Sequence, residues 1–386
     1  MKSSDMQAAR SKKPIRVVFR YPCAKNLFVD SGERDVGGAP IQIKTIITEL
    51  AKDPQFKVYL WVDGSVPDHK IEGVSLLPGR KPLKTRFSFF TYFLNSLRMA
   101  RMVRFAASGI SVFTVYVDDA TASLMKKILS KGGKLVYRFA SDIAVDPAGY
   151  GEGECLPFFE ALKSADALIT QTRRQQLLLK DLHKLESTVI PSTFPLKEIE
   201  ETPVEQRKYD VVWVGQCRWY KRPWIALEIA RQFPEAQFLL IMPESDSRMA
   251  VALRDQMASM HNVEFLDYVP PGEIQYYYDQ AKIVLNTSLF EGYPNTLHAA
   301  AQARAAYLSL KWEDDMFSGE GKVGLCSKGD INTCIKQLEY LLANQNEILM
   351  MGYNSFRHLQ KQNNIEEVQQ KYQRLLRGLA RDSSQI

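Results

Sequence analysis

The chain has 386 residues, of which 45% are hydrophobic and 24% are charged, and it carries a formal net charge of +6. These proportions are typical of a folded globular protein and exclude a disordered or fibrous chain. The length is too great for one ordinary core, so we expect two domains.

Cysteine usage and the N-terminal segment indicate the compartment. The five cysteines form no CxxC pair and no His/Cys cluster, which argues against a disulfide framework and a zinc site. Residues 1–13 are polar and basic and lack the apolar stretch of a secretory signal, so we interpret them as a disordered leader. No run of about 18 apolar residues occurs, so no transmembrane helix is expected. The sequence therefore predicts a cytoplasmic protein.

The first half of the chain alternates short β-branched runs with segments whose apolar residues recur at helical spacing. Ile43, Ile46, Ile47 and Leu50, for example, mark one face of a helix after the first strand. The predicted strands are 15–20, 57–62, 73–77, 111–117, 134–139, 167–170 and 187–190. The predicted helices are 37–52, 87–107, 120–130, 157–164 and 173–182.

The alternation stops between residues 191 and 208, where prolines and a charged stretch show no apolar period. We place a linker at 193–208, between a first domain at 14–192 and a second at 209–362. The last segment, 363–386, is expected to be a helix that returns toward the first domain. In the second domain the predicted strands are 209–214, 237–241, 263–266, 283–286, 307–310 and 323–326. The predicted helices are 223–233, 248–260, 271–280, 294–305 and most of 330–381.

Strand–helix alternation of this kind is typical of parallel sheets with helices on both faces. Two such units joined once predict an α/β fold with two Rossmann-like lobes that face a cleft. In such sheets ligands bind at the carboxyl ends of the strands. Polar and glycine-rich segments that directly follow a predicted strand are therefore the candidates for a binding site.

The first candidate is the basic turn at 214–223, which follows the first strand of the second lobe. Arg218, Lys221 and Arg222 precede a helix that begins near Pro223. Helix N-termini carry partial positive charge, so the turn suits an anion such as a diphosphate. A solvated basic turn with no ligand is the alternative.

The second candidate is the segment 290–297, Phe-Glu-Gly-Tyr-Pro-Asn-Thr-Leu. Pro294 opens a helix, so the backbone N–H groups of Asn295, Thr296 and Leu297 are expected to face the cleft. Glu291 either caps this helix or binds the hydroxyl groups of a polyol. Capping more often uses Ser, Thr, Asp or Asn, which weakens the first alternative.

The third candidate is the segment 35–40, Asp-Val-Gly-Gly-Ala-Pro, between the first strand and the first helix. Gly37 and Gly38 have no side chain and permit a close approach of the backbone to a ligand. A plain turn would explain the pair of glycines equally well.

Together, the three segments resemble the GT-B retaining glycosyltransferases of family 4 over nearly the whole chain. The resemblance rests on the glycine loop, on a G-x5-K pattern at Gly215 and Lys221, and on Glu291 to Thr296, which match E-G-[FY]-P-N-[TV]. It implies a metal-independent transferase in which Lys221 binds the donor diphosphate and Glu291 binds donor-sugar hydroxyl groups. Retaining members let the leaving phosphate take the acceptor's proton, so no strong general base is implied. The implied donor-binding residues are Gly37, Gly38, Gly215, Arg218, Gly292, Tyr293, Asn295, Thr296 and Leu297.

The sequence departs from the family pattern at two positions. Gln216 stands where the family often has arginine, and Arg218 is a candidate to replace that charge. Ala299 stands where the family usually has a second glutamate that binds the ribose, which removes hydrogen bonds worth roughly 1–3 kcal/mol. A catalytically weak or inactive GT-B protein that acts as a partner or binding subunit is therefore an alternative, and a GT-B sugar-nucleotide epimerase is another.

The acceptor side is expected in the first lobe, where Arg138, Ser141 and Asp142 follow the strand 134–139. Asp142 is the candidate contact to the acceptor and is grouped with Lys221 and Glu291 as catalytic. The acidic pairs near Asp118 and Asp314 are not expected to bind a metal. No cofactor is expected, since the nucleotide-sugar is a substrate.

The segment 81–107 combines cations and aromatic residues and has no acidic residue. Its cations are Lys81, Lys84, Arg86, Arg98, Arg101 and Arg104. Such a composition suits a helix on an anionic membrane surface, and a core helix with a solvated basic face is the alternative. No motif supports nucleic-acid binding. A saccharide or lipid-linked acceptor, used in cell-surface polysaccharide or glycan assembly at the inner face of the membrane, would fit the first alternative.

Overall fold

The fold is taken from a computed structural model, which describes residues 13–22, 38–63, 70–79, 88–114, 117–149, 156–193, 201–243, 247–318, 321–362 and 364–382. The first lobe has the strands β1 (Ile15–Arg20), β2 (Phe56–Asp63), β3 (Lys70–Ile71), β4 (Val74–Gly79), β5 (Ile110–Thr114), β6 (Lys134–Arg138), β7 (Ala167–Thr170) and β8 (Thr188–Val189). Its helices are α1 (Gly38–Ala51), α2 (Ser88–Ala107), α3 (Asp119–Leu129), α4 (Leu156–Lys163) and α5 (Arg173–His183).

The second lobe is built from the strands and helices that follow residue 208. Its strands are β9 (Tyr209–Val214), β10 (Phe238–Ile241), β11 (Val263–Leu266), β12 (Ala281–Asn286), β13 (Ala306–Ser309) and β14 (Gly324–Cys326). Its helices are α6 (Pro223–Gln232), α7 (Ser247–Met257), α8 (Ile274–Asp279), α9 (Asn295–Gln302), α10 (Ile331–Ala343) and α11 (Gln345–Gln362). A last helix, α12 (Ile365–Asp382), follows.

The two sheets are parallel apart from one short hairpin. The first has the strand order β3-β4-β2-β1-β5-β6-β7-β8, and the second has the order β11-β10-β9-β12-β13-β14. Strand order reverses next to β1 in the first sheet and next to β9 in the second, and ligands bind at such switch points. The predicted fold class, α/β with two Rossmann-like lobes, is confirmed.

The antiparallel strand β3 is a difference from the sequence prediction. It pairs with β4 through a tight turn in which Glu72 and Gly73 both have positive φ, 49° and 84°. Turns of this kind usually carry Asn-Gly or Asp-Gly. The Glu-Gly pair is a weaker signal, and a strand of two residues has no measurable apolar period.

The helical face predicted for α1 packs into the core of the first lobe. Ile43, Ile46, Ile47 and Leu50 are each at most 1% exposed and lie against the sheet. Full burial of such a side chain stabilises the fold by roughly 1.5–3 kcal/mol. This packing fixes the direction of α1, and therefore the position of its N-terminus at the edge where the strands end.

Helix α12 packs on the first lobe, although it follows the second lobe in sequence. Val368, Tyr372 and Leu376 are buried in the same core as α1. The amide Nε2 of Gln369 donates to the carbonyl of Ile46 at 3.1 Å. The chain thus crosses between the lobes twice, once before β9 and once before α12.

Candidate active site

Two of the sequence segments meet at the carboxyl ends of neighbouring strands of the second sheet. The turn after β9 contains a 3-10 helix, Trp219–Lys221, and the loop after β12 contains Glu291. Lys221 Nζ lies 2.6 Å from Glu291 Oε1, with side chains that are 22% and 13% exposed. The cation and the carboxylate therefore form a partly buried ion pair in which both groups can still be reached by a ligand.

Arg222 holds this turn in place. It has a left-handed backbone conformation, with φ of 52°. Its Nε donates to the carbonyl of Thr287 at 2.7 Å, and the Thr287 hydroxyl donates to the carbonyl of Lys221 at 2.7 Å. Arg222 is thus anchored on backbone carbonyl groups of the loop after β12, which leaves Lys221 and Arg218 as the cations of the turn that can face an anion.

The carboxylate of Glu291 belongs to a row of polar side chains. Asn286 Nδ2 donates to Glu291 Oε1 at 3.3 Å and to Tyr307 Oη at 2.8 Å. Tyr307 Oη lies 2.9 Å from the hydroxyl of Thr296. This row of hydrogen bonds orients Glu291 toward Lys221. The N-cap residue of α9 is Pro294, and no side chain forms a capping hydrogen bond there. Helix capping therefore does not account for Glu291.

The N-terminus of α9 offers fewer N–H groups than the sequence suggested. The N–H of Leu297 already donates to the carbonyl of Pro294 at 3.1 Å. Those of Asn295 and Thr296 have no backbone partner within the described part of the chain. These two N–H groups are therefore the backbone donors next to the ion pair. Because helix N-termini attract anions, they suit a negatively charged ligand.

The loop that carries Glu291 touches the first lobe. The N–H of Asp142 donates to the carbonyl of Glu291 at 2.9 Å. A Cβ atom on Gly292 would lie 2.4 Å from the carbonyl oxygen of Ala140 and 2.7 Å from Gln171 Nε2. Only glycine fits at this contact, so the lobes are in close approach at the site.

The third sequence segment lies partly outside the described residues. Gly37 is not among them, and Gly38 is the first residue of α1. One turn further on, Gln42 Nε2 donates to Asn295 Oδ1 at 2.7 Å. The second turn of α1 therefore meets the first turn of α9 across the cleft, beside Lys221 and Glu291.

The residues expected on the acceptor side are less accessible than the sequence suggested. Arg138 is 0% exposed, and Asp142 is buried, where Arg174 and Gln175 bind its carboxylate. Ser141 accepts a hydrogen bond from the N–H of Ile143 at 3.3 Å and caps a short 3-10 helix. In this arrangement Arg138 and Asp142 support the loop that touches Glu291, and neither side chain lies on the surface of the cleft.

Burial raises the pKa of Asp142 to about 6, although Arg174 and Gln175 lower it. The folded state then binds a proton more strongly than the unfolded state between about pH 4 and pH 6, so this group's contribution to stability is lost as the pH rises through that window. As the pH rises from about 4 to about 6, we expect the free energy of unfolding of Asp142→Asn to increase by about 3 kcal/mol relative to that of wild type. Urea unfolding of both proteins at each end of the window measures the difference, and a pH-independent difference would contradict the prediction.

Other predicted donor-binding residues lie around the ion pair. Arg218 is exposed, and its Nε donates to Gln216 Oε1 at 3.1 Å. Gly215 follows β9, and an added Cβ there would meet the ring of Trp213 at 2.9 Å. Tyr293 packs its ring edge-on against Trp312, with centroids 6.3 Å apart. Ala299 is half-buried on α9 and brings no polar side chain to the site.

Sequence reasoning did not identify Gln42 and Asn286 as parts of the site. Asn286 has a readable signal, because it is a polar residue at the carboxyl end of a buried strand. Gln42 has none, since a glutamine in the second turn of an amphipathic helix is unremarkable. Its partner Asn295 is 253 residues away.

The acidic pairs have structural partners. Asp118 caps α3 by accepting from the N–H of Thr121 at 2.6 Å, and Asp314 accepts from the N–H of Asp315 at 2.7 Å. Among the described residues no group of three or more His, Cys, Asp or Glu side chains could hold a metal ion.

Comparison with solved structures gives the fold. A sucrose-phosphate synthase from Thermosynechococcus elongatus matches with a TM-score of 0.77 and 15% identity, over 95% of this chain and 100% of the other. TarM from S. aureus, in complex with fondaparinux, α-GlcNAc-glycerol and UDP, matches with a TM-score of 0.68 and 10% identity, over 94% and 99%. A structure described as trehalose-6-phosphate from E. coli bound with UDP-2-fluoro glucose matches with a TM-score of 0.67 and 11% identity, over 94% and 98%.

Comparison by sequence gives one family match, within the second lobe. No curated protein matches the chain. Residues 208–344 match the family model described as glycosyl transferases group 1, which spans β9 to α10 and includes Lys221, Glu291 and α9. The narrower assignment to family 4 stays a prediction. Residues 208–344, which hold the ion pair at the carboxyl ends of β9 and β12, are thus similar in sequence to the group 1 glycosyl transferases.

Proposed function

We propose that the chain is a retaining, metal-independent glycosyltransferase that moves a sugar from a nucleotide-sugar donor to a saccharide or lipid-linked acceptor. The observation that carries this is the ion pair between Lys221 and Glu291 at the N-terminus of α9, inside a group 1 glycosyl transferase domain. Cations and helix N–H groups suit a diphosphate, and an adjacent carboxylate suits sugar hydroxyl groups.

The chemistry follows from where charge develops. As the glycosidic bond of the donor breaks, negative charge grows on the leaving diphosphate. Lys221 Nζ and the N–H groups of Asn295 and Thr296 are fixed before the reaction, so they stabilise that charge without reorganisation. Lys221 can contact a phosphate while it keeps Glu291, because an ammonium group has three donors. The acceptor hydroxyl oxygen bonds to the anomeric carbon on the face that the diphosphate leaves and gives its proton to the leaving phosphate oxygen, so the anomeric configuration is retained.

The nucleotide of the donor is proposed to contain uridine. UDP is named with the TarM structure, and UDP-2-fluoro glucose is named with the E. coli structure. Isothermal titration of the chain with UDP-, GDP- and dTDP-sugars tests the donor class. If no nucleotide-sugar binds, the transferase and the epimerase proposals are both wrong. The remaining alternative is then a partner or binding subunit that does not use a nucleotide-sugar.

Stereochemistry and metal dependence are tested in one assay. With the best donor, NMR of the product reports the anomeric configuration, and turnover is compared with and without EDTA. Retention and equal turnover support the proposal. An inverted product would contradict the retaining mechanism, and a loss of turnover in EDTA would contradict metal independence.

Helix α2 is proposed to bind an anionic membrane surface, where a lipid-linked acceptor would be found. Phe93 and Leu97 are 50% and 44% exposed, and Arg101 and Arg104, one and two turns further along the same face, are also exposed. An apolar stretch followed by cations suits the boundary between acyl chains and anionic headgroups. The basic residues 81–86 lie outside the described residues. No helix in the described ranges is long and apolar enough to cross a membrane.

We expect Arg101→Glu combined with Arg104→Glu to lower binding to anionic vesicles by about tenfold or more, since each basic residue near the surface contributes about 1 kcal/mol. Flotation with phosphatidylserine-containing vesicles measures the bound fraction. Lys336→Glu combined with Lys361→Glu, which reverses two exposed cations of the second lobe, is the matched control. Equal losses in both double variants, or equal binding to zwitterionic vesicles, would contradict a specific surface on α2.

A further inference from the structure

The guanidinium of Arg138 is buried at the end of β6 and bonded to three elements of the fold. Its Nε donates to Tyr372 Oη of α12 at 3.1 Å. Its Nη2 donates to Ser192 Oγ at 2.7 Å and to Gln42 Oε1 of α1 at 3.0 Å. A guanidinium has only hydrogen-bond donors, so it can bind the oxygen of the Gln42 amide but not its nitrogen. The amide oxygen of Gln42 must therefore face Arg138.

Ser192 Oγ also lies 2.8 Å from Gln42 Oε1, and its single hydrogen is shared between that oxygen and Gln171 Oε1, so the donors of Arg138 are what fix the Gln42 amide. The amide nitrogen of Gln42 is therefore turned toward the second lobe, where it meets Asn295 Oδ1 at 2.7 Å. The same logic then applies to Asn295, whose oxygen must face Gln42. The amide nitrogen Nδ2 of Asn295 therefore points away from Gln42.

We propose that Gln42 is a positioning residue: Arg138 fixes the orientation of the Gln42 amide, and Gln42 in turn fixes that of the Asn295 amide across the cleft. Asn295 then presents its Nδ2–H groups to the donor diphosphate. We call this series of hydrogen bonds from Arg138 through Gln42 to Asn295 the relay. This rests on the proposed function, which places the diphosphate at the N-terminus of α9. With the amide reversed, Asn295 would present Oδ1 to an anion, which is repulsive. The relay exists only when α1 and α9 are in contact, so it also ties this donor group to closure of the lobes.

Two variants of Gln42 separate positioning from simple structural support. In Gln42→Glu the new carboxylate pairs with Arg138, which has a buried charge, so the thermal midpoint should equal or exceed that of wild type. A carboxylate can only accept, however, so Asn295 must turn its amide, give Nδ2 to the carboxylate and present Oδ1 to the donor. Gln42→Met is similar in size and leaves Asn295 free to turn either way.

We therefore expect opposite rank orders in the two measurements. Affinity for UDP, measured by titration calorimetry, should fall in the order wild type, Gln42→Met, Gln42→Glu, with a loss of about tenfold or more in the last. The thermal midpoint should be lowest in Gln42→Met. A purely structural role for Gln42 would give the same order in both measurements, because the more stable variant would also bind better.

A second pair of variants tests whether the effect passes through Asn295. In an Asn295→Ala background no amide is left to turn, so Gln42→Glu and Gln42→Met should bind UDP with equal affinity. A persistent difference in that background overturns the relay, because the charge of the carboxylate would then be acting directly. Turnover with the donor that binds best in the titration should follow the same pattern in kcat/KM.

The outcomes distinguish this inference from the proposed function. If wild type binds none of the nucleotides, the donor site itself is wrong and the relay is overturned with it. If wild type binds and turns over the donor while Gln42→Glu binds UDP as well as Gln42→Met, the function stands and the relay is wrong. A Gln42→Glu protein that fails to fold contradicts the expected pairing with Arg138 and also overturns the inference.

Discussion

Lys221→Met should lower kcat/KM for the donor by about two to three orders of magnitude, the range seen when one preorganised group that stabilises developing negative charge is removed. Lys221 is the side-chain cation held beside Glu291 and α9, and methionine keeps its length without its charge. The loss should be larger in kcat than in donor affinity, because charge on the diphosphate grows as the bond breaks. Steady-state kinetics with a UDP-sugar and its acceptor measure both parameters.

The second sheet supplies a matched control for this variant. Lys282 pairs with Asp210 at 2.8 Å, and the two side chains are 29% and 20% exposed, close to the values for Lys221 and Glu291. This pair lies at the opposite end of β12, near its first residue. Lys282→Met should lose comparable stability and keep its kinetics. If both variants lose activity in parallel, Lys221 acts through stability and the assigned donor contact is wrong.

Gly292→Ala is expected to have the next largest effect, because its methyl group would lie 2.4 Å from the carbonyl oxygen of Ala140. Backbone on both sides of this contact cannot move away as a side-chain end can, so the loop and the first lobe must separate. Inserting one methyl group into a packed site costs about 1–3 kcal/mol, which corresponds to roughly 5- to 150-fold in kcat/KM if the closed arrangement is the active one.

Gly272 provides the control for the glycine substitution. A Cβ atom there would have no heavy atom within 4 Å, and its φ is not in the range that disfavours other residues. Gly272→Ala should therefore leave kinetics and stability unchanged. Unaltered kinetics in Gly292→Ala would show that contact between Glu291's loop and Ala140 is not needed for turnover, and that the lobes react in a more open arrangement.

The positions of the helices and strands around the site could be predicted from the sequence because each depends on a local pattern. The strand 209–214 and the helix after Pro294 were expected, and they are β9 and α9 with shifts of a few residues at most. The convergence of Lys221 with Glu291 was also predictable, since carboxyl ends of adjacent parallel strands meet at one edge. The two-residue strand β3 was missed because it is too short to show a period.

Burial of the acceptor-side residues could not be predicted in the same way. Arg138 and Asp142 are charged residues at the carboxyl end of a parallel strand, the edge of the sheet where ligands bind in such folds. In the structure Tyr372 comes from α12 and Arg174 from α5, and these partners enclose the two charges. The sequence around Arg138 does not indicate that it will contact a helix that begins at Ile365, after the whole second lobe.

The α/β alternation, the two lobes and the meeting of the Lys221 turn with the Glu291 loop could be read from the sequence, because hydrophobic period and the residues that follow each strand are local properties of the chain. Tertiary contacts, in contrast, require glycine at position 292, enclose Arg138 and set the direction of the Gln42 amide. Each of these depends on the atoms of another lobe or of a distant helix, since donors and acceptors are assigned only when their partners meet.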